Sequence, residues 1–252
     1  MVTIIKGFGT GTPVVFLPPF PFDSRFWQPI AIELNKLDIA TRLVEYAGSG
    51  IFKDRVPKPY SLRQLAESVV SEVGQQAHFI GLSMGGYVAF HIAKYFPQSA
   101  KSFIFMATHP FADSPEQKEN RDRLIKQVKQ GRKHFVFKAY FPSLLAQQTY
   151  LTNPELTNVV WNLMNTSYST YGLITALESM KNREDLSGHL YKIDCPTTVI
   201  FGKDDSIITN TEWAEQIPNA RIVITNGGHL FPLEHSDETV KNILKHIEWA
   251  EN

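Results

Sequence analysis

Residues 78–95 read HFIGLSMGGYVAFHIAKY, and they place a serine between an apolar run and a segment of helical periodicity. This serine, Ser83, has Gly81 and Gly85 two residues away on either side, which fits the pattern G-x-S-x-G. A strand-to-helix turn that projects Ser83 outward leaves almost no room for side chains at those two positions. A glycine-rich turn with an incidental serine is the alternative, but the strand–turn–helix context favours a nucleophile.

On both sides of this turn, short apolar runs alternate with helical segments. Strand-like runs lie at 14–17, 39–46, 78–82, 102–106, 197–201 and 221–225. Helical patterns lie at 26–37, 84–95, 211–216 and 238–249, and between Ser61, a suitable N-cap, and Gly74, a helix stop. Such alternation predicts an α/β fold whose central sheet is mostly parallel, with helices on both faces.

The alternation stops between residues 110 and 190. This stretch is helix-forming, charged in its first part and aromatic later, and it contains no convincing strand. We therefore predict a core of residues 1–109 and 191–252, with a helical cap, or lid, of residues 110–190 inserted between two strands. An ordinary helical layer without a gating role is the alternative.

The insert also supplies the candidate substrate-binding residues. Substrate pockets are mostly apolar and aromatic, and the rings selected on this ground are Phe137, Tyr140, Phe141, Trp161 and Tyr168. The alternative is that these rings only pack the insert helices onto the sheet, which would give them no role in substrate choice.

An acid and a histidine follow Ser83 in the chain, each directly after a later predicted strand. The run 197–201 is followed by Asp204 and Asp205, and the run 221–225 is followed by His229. Side chains at the carboxyl ends of parallel strands converge at one edge of a sheet. Of the eight histidines, only His229 has this placement. The order serine, acid, histidine therefore predicts a catalytic triad.

Three segments carry a resemblance to a known family: GLSMGG at 81–86, VIFGKDDSI at 199–207 and GGHLFPLEHSDE at 227–238. Weaker similarities lie at 20–27, 108–121 and 176–186. With them the chain resembles the α/β-hydrolase superfamily, and within it small carboxylesterases and 3-oxoadipate enol-lactonase-like hydrolases. The resemblance implies the α/β-hydrolase fold. It also implies that Asp205 is the acid of the triad, with Asp204 as a solvated neighbour.

The oxyanion hole is predicted from two backbone N–H groups. Met84 begins the helix after the nucleophile, where free N–H groups and the helix dipole face a developing anion. The resemblance implies Phe20 as the second donor. Relatives carry His-Gly where this chain has Pro18 and Pro19, and these prolines remove two N–H groups and fix the local backbone. Phe20 is not a proline, so its donor remains.

These residues predict a serine hydrolase that cleaves a carboxylic ester or lactone of a small, largely apolar substrate through an acyl-enzyme intermediate. Two alternatives stay open. The same triad could act on another bond, as in a C–C hydrolase, a perhydrolase or an amidase, because one fold hosts many chemistries. A hydrolase-fold protein could also bind a small ligand with little turnover.

Composition narrows the partners. Lys plus Arg equals Asp plus Glu at 25 each, without a basic stripe, so we expect neither nucleic acid nor an anionic membrane as partner. No apolar run reaches the roughly 20 residues of a membrane span, and the N-terminal apolar run is too short for a signal peptide.

The one cysteine, Cys195, fits a reducing cytoplasm. Metal and phosphate-binding motifs are absent, so we expect no cofactor, only a small-molecule substrate; a homodimer is left open.

Overall fold

The computed structural model describes residues 1–54 and 58–252 of the chain. Within these residues, seven strands form one sheet in the order β1-β3-β2-β4-β5-β6-β7. The first strand runs antiparallel to β3 and every other pairing is parallel. The strands are β1 Val2–Lys6, β2 Thr10–Leu17, β3 Ile39–Tyr46, β4 Ala77–Leu82, β5 Ala100–Met106, β6 Thr197–Gly202 and β7 Arg221–Thr225. The predicted mostly parallel sheet is confirmed.

Helices flank this sheet in two layers, since α1 packs against α10 and α2 packs against α3. The helices that belong to these layers or close the chain are α1 Gln28–Lys36, α2 Leu62–Val73, α3 Met84–Tyr95, α9 Phe231–Glu234 and α10 Ser236–Glu251. The predicted start and end of α2 are confirmed. Ser61 accepts a hydrogen bond from the N–H of Gln64 in a capping box, and Gly74 ends the helix in the left-handed conformation at φ 68°.

Between β5 and β6, the segment predicted as the insert forms five α-helices: α4 Pro115–Lys129, α5 His134–Tyr140, α6 Gln147–Thr152, α7 Pro154–Ser167 and α8 Thr170–Lys181. Its two ends are joined by a buried ion cluster. Asp113, just before α4, pairs with Arg121 on α4 and with Arg183, just after α8. The guanidinium of Arg183 also lies 4.3 Å over the ring of Tyr87 on α3. The base of the insert is thereby fixed to the core.

The structure differs from the predicted elements in several places. Strand β1 was not predicted, because a half-buried run of five residues at a sheet edge carries little pattern. The run predicted at 14–17 extends back to Thr10. The helix predicted at 26–37 begins with a separate 3₁₀ turn, Ser24–Phe26, and α1 follows with Pro29 in its first turn. The helix predicted at 211–216 is only a 3₁₀ turn, Glu212–Gln216.

Candidate active site

Ser83 lies at the sharp turn between β4 and α3. Its backbone has φ 53° and ψ −115°, a conformation that costs free energy for a residue with a side chain. The surroundings hold it in place: Ser83 donates its N–H to the carbonyl of Met106 over 3.0 Å, and its own carbonyl accepts from the Thr108 hydroxyl over 2.9 Å. An added Cβ at Gly81 would overlap the carbonyl of Gly85. The glycines are therefore required by close backbone contact, as the motif predicts.

His229 and Asp205 are in direct contact. His229 Nδ1 lies 2.9 Å from Asp205 Oδ2, and both residues are buried. The other carboxylate oxygen, Oδ1, accepts the N–H groups of Ile207 and Ile208 over 2.8 and 3.1 Å. Asp204 is exposed. The structure thus brings Asp205, and not its neighbour, to the histidine.

The loops that carry these two residues are bonded to each other. Lys203 donates its N–H to the carbonyl of Thr225 over 2.8 Å, and Asp204 donates to that of Gly227 over 2.9 Å. An added Cβ at Gly202 would overlap the carbonyl of Gly228. Because β6 and β7 are adjacent, their loops can approach this closely only where side chains are missing.

Ser83, Asp205 and His229 all follow the carboxyl ends of parallel strands, β4, β6 and β7. Since Asp205 occupies Nδ1, the Nε2 atom of His229 is the ring nitrogen left to accept a proton. The Ser83 hydroxyl has no hydrogen-bond partner among residues 1–54 and 58–252. It is half-buried and available to a base or a substrate.

The two predicted oxyanion donors are backbone N–H groups that follow two neighbouring strands of the sheet. Met84 is the first residue of α3, and Phe20 follows β2, the strand next to β4. Neither N–H has a partner in the part of the chain that the structure describes. Pro19 contributes its carbonyl to a turn, accepting from Phe22 over 2.9 Å, and the Phe20–Pro21 peptide is cis. The Pro18-Pro19 pair thus leaves the N–H of Phe20 without a partner within the described residues.

The five predicted substrate-binding rings fall into different places. Tyr140 and Tyr168 each lie edge-on to the Phe20 ring, with centroids 5.8 Å apart. Phe141 and Trp161 contact each other within the insert, with centroids 4.9 Å apart. Phe137 is fully buried in the core. Among residues 1–54 and 58–252, Tyr140 and Tyr168 are therefore the members of this set whose rings contact Phe20.

Sequence reasoning missed a buried charged group beside these rings. Arg121 Nη1 donates to the Tyr140 hydroxyl over 3.3 Å. Burial alone would raise the pKa of Asp113, but the hydrogen bonds and charges of Arg121 and Arg183 lower it below its ordinary value. Burial raises the pKa of Tyr140, whose hydroxyl stays neutral. The segments 108–121 and 176–186 hold these residues, and their similarity to the family was the available signal.

Other candidate chemistry is limited. Burial raises the pKa of the Cys195 thiol to about 11, so the thiolate is scarce at neutral pH. Among residues 1–54 and 58–252, no cluster of three or more His, Cys, Asp or Glu side chains could hold a metal ion. Over the same residues, no helix is long and apolar enough to cross a membrane.

Comparison with known proteins identifies the family. The sequence model described as the alpha/beta hydrolase family matches residues 14–242. The chain belongs to the α/β-hydrolase family. The predicted family and fold are confirmed.

Individual α/β hydrolases match over different lengths. The pimeloyl-[acyl-carrier protein] methyl ester esterase of Pseudoalteromonas atlantica is 36% identical over 102 residues, which are 40% of this chain and only 39% of that enzyme. A thermophilic esterase from Thermogutta terrifontis is 26% identical with a TM-score of 0.92, covering 100% of this chain and 94% of that one. The enol-lactonase from Burkholderia xenovorans LB400 has a TM-score of 0.88 at 21% identity, covering 98% and 96%, and supports the fold alone.

Proposed function

We propose that this α/β hydrolase is a serine hydrolase that cleaves a carboxylic ester or lactone of a small, largely apolar substrate. The observation that carries the proposal is the buried contact of His229 Nδ1 with Asp205 Oδ2, at the same sheet edge as the strained Ser83 turn. A histidine oriented by a carboxylate, at the same end of the sheet as a half-buried serine, is the arrangement that activates a hydroxyl nucleophile.

The proposed reaction has two stages. Ser83 attacks the acyl carbonyl while His229 Nε2 accepts the serine proton, and Asp205 stabilises the resulting imidazolium. The N–H groups of Met84 and Phe20 bind the oxyanion, each contributing about 2.7–4 kcal/mol when aligned. His229 then gives its proton to the leaving group. Water, activated by the same histidine, hydrolyses the acyl-enzyme and regenerates the free serine.

The choice of an ester bond is supported by the relatives. The similar protein from Pseudoalteromonas atlantica is a methyl ester esterase, and the Thermogutta terrifontis protein, which aligns over the whole chain, is an esterase. A small-molecule substrate follows from this proposal. The single cysteine fits a cytoplasmic location, which we also propose.

The helical insert is proposed to act as the lid of the site. Residues 110–190 would cover the core formed by 1–109 and 191–252. Tyr140 and Tyr168 are proposed as pocket walls because their rings contact Phe20, whose N–H is an oxyanion donor in this mechanism. For Phe137, Phe141 and Trp161 the same role rests on their aromatic character alone.

The test is a hydrolysis screen of the wild-type protein against aryl esters of graded acyl length and a few lactones, with the Ser83→Ala variant alongside. Ester hydrolysis should fall by about 10³-fold or more in Ser83→Ala, because triad members act as a unit. A variant that keeps over about a tenth of the wild-type rate contradicts the proposal, since the triad then contributes little.

The same screen, extended by an amide and by a substrate with a cleavable C–C bond, separates the alternatives. If an amide or a C–C substrate turns over faster than every ester, the triad assignment stands, but the bond that the enzyme cleaves is not an ester. A folded wild-type protein that hydrolyses no member of the panel but binds one of them would instead be a small-ligand binder.

A further inference from the structure

Glu234 is the last residue of α9 and lies five positions after His229. Its carboxylate accepts hydrogen bonds from two separate segments. Oε1 accepts the N–H of Gly228 over 2.8 Å, and Oε2 accepts the N–H of Ala146 over 3.2 Å. Ala146 belongs to the insert, directly before α6. A single side chain thus joins the residue preceding His229 to the insert.

A second bond lies on the other side of the histidine. Leu230 donates its N–H to the carbonyl of Leu144, also in the insert, over 2.8 Å. His229 is therefore flanked at both neighbouring residues by hydrogen bonds that fix its backbone. An added Cβ at Gly228 would overlap the N–H of Ala146. The loop and the insert segment are consequently in backbone contact.

The charge and reach of Glu234 suit this task. A carboxylate offers two oxygens and about four lone-pair sites, so it can serve two N–H donors at once. Hydrogen bonds from N–H groups to a charged acceptor are roughly twice as strong as neutral ones. Aspartate is one methylene shorter and cannot reach both segments from the same backbone position. Glutamine keeps the reach, and its one amide oxygen can accept both N–H groups, because the Ala146 nitrogen also lies 3.3 Å from Oε1, the oxygen that accepts from Gly228.

We propose that Glu234 is a positioning residue that holds the His229 loop against the insert, so that the imidazole keeps its place between Asp205 and Ser83. The inference rests on the proposed function. A displacement of about 1 Å at a reacting group can cost about 10²-fold in rate. Because Glu234 acts through His229, its loss should lower kcat and leave substrate binding nearly unchanged.

The experiment compares Glu234→Gln, which keeps reach and loses charge, with Glu234→Asp, which keeps charge and loses reach. Asp237→Asn serves as the control, since this acid of α10 is exposed. Measurements are kcat and KM on one aryl ester, the pH profile of kcat/KM, and the melting temperature. We expect Glu234→Asp to lower kcat by about 10–100-fold with KM changed less than about threefold. Glu234→Gln should stay within about fivefold of wild type, and Asp237→Asn should match it.

Three results would overturn the inference while leaving the esterase proposal intact: Glu234→Asp as active as Glu234→Gln, a loss confined to KM, or a kcat unchanged in both. If Glu234→Asp does not fold, Gly228→Ala decides, because its methyl group separates the same segments with Glu234 intact. Wild-type kcat in that variant contradicts the inference. A wild-type protein without any esterase activity overturns the proposed function, and the inference with it.

Discussion

Asp205 uses its two carboxylate oxygens for two different tasks. Oδ2 contacts His229 Nδ1, while Oδ1 accepts two backbone N–H groups that close its own turn. Those backbone bonds fix the carboxylate, and the carboxylate fixes the ring. Asp204, one residue earlier, is exposed, and its carboxylate has no hydrogen-bond partner among the described residues. The two acids are adjacent in the sequence, but their environments in the structure therefore differ.

Replacing the two acids separately tests this difference. Asp205→Asn should lower kcat by about 10⁴, because an amide in this position favours the wrong histidine tautomer. Asp204→Asn should lower it by less than about tenfold, since an exposed carboxylate only adds a screened charge. Steady-state kinetics on a single ester check both variants, with melting temperatures as the folding control. The opposite ranking would assign the acid of the triad to Asp204.

Local pattern was sufficient to predict the sharp turn at Ser83 and the contact of His229 with Asp205. Close backbone approach around Ser83 and in the short loops after β6 and β7 excludes side chains, so these positions are glycines. The glycines are visible as a pattern in the sequence. Glu234 and Arg121 could not be found in this way. Their partners, Gly228 with Ala146 for one and Asp113 with Tyr140 for the other, are brought together only by tertiary packing.

At the scale of elements, periodicity predicted buried segments best. The bounds of β3, α3 and β7 match the predicted ranges 39–46, 84–95 and 221–225. Strand β1 was missed because its pairing with β3 depends on a distant partner, and an edge strand needs no continuous apolar run. The number and packing of the insert helices could also not be predicted from the hydrophobic pattern. They depend on non-local contacts such as the Asp113 ion cluster.

The insert provides a prediction that distinguishes pocket rings from packing rings. Phe137→Ala should lower the free energy of unfolding by about 3–5 kcal/mol, because this ring is fully buried. Any effect on kcat/KM should be the same for all substrates. Tyr140→Ala should change the ratio of kcat/KM between short and long acyl esters, since its ring lies against Phe20. Urea unfolding and the ester panel measure the two effects. If Tyr140→Ala leaves the ester ratio unchanged, the pocket is built by other residues.

At the scale of the whole molecule, a buried series of hydrogen bonds runs across the amino-terminal ends of the strands, at the end of the sheet opposite to Ser83. His78 Nδ1 and His246 Nε2 each lie 2.7 Å from the Ser102 hydroxyl, and His246 Nδ1 lies 2.8 Å from that of Thr198. This series links β4, β5 and β6 to α10. Burial, helped by the neighbouring His78, lowers the pKa of His246 to about 3.

Because His246 is held neutral in these hydrogen bonds, we predict that acid destabilises the folded protein. The folded protein holds His246 neutral, whereas the unfolded chain binds a proton near the ordinary pKa of 6.5. The stabilisation is therefore complete above pH 6.5 and is lost as the pH falls towards 3, by up to about 1.4 kcal/mol per pH unit. Urea unfolding of wild type and His246→Gln between pH 7.5 and 4 measures the difference. Equal pH slopes for the two proteins would rule out a role for His246.

The most direct test of the central claim is covalent labelling of the wild-type protein by a fluorophosphonate, followed by peptide mass analysis. A hydroxyl activated by His229 reacts with this probe, and an ordinary serine does not. The proposed mechanism predicts one adduct per chain, located on Ser83, and slower labelling in Asp205→Asn. A folded wild-type protein that stays unlabelled, or that carries the adduct on any other residue, would contradict the assignment of Ser83 as the nucleophile.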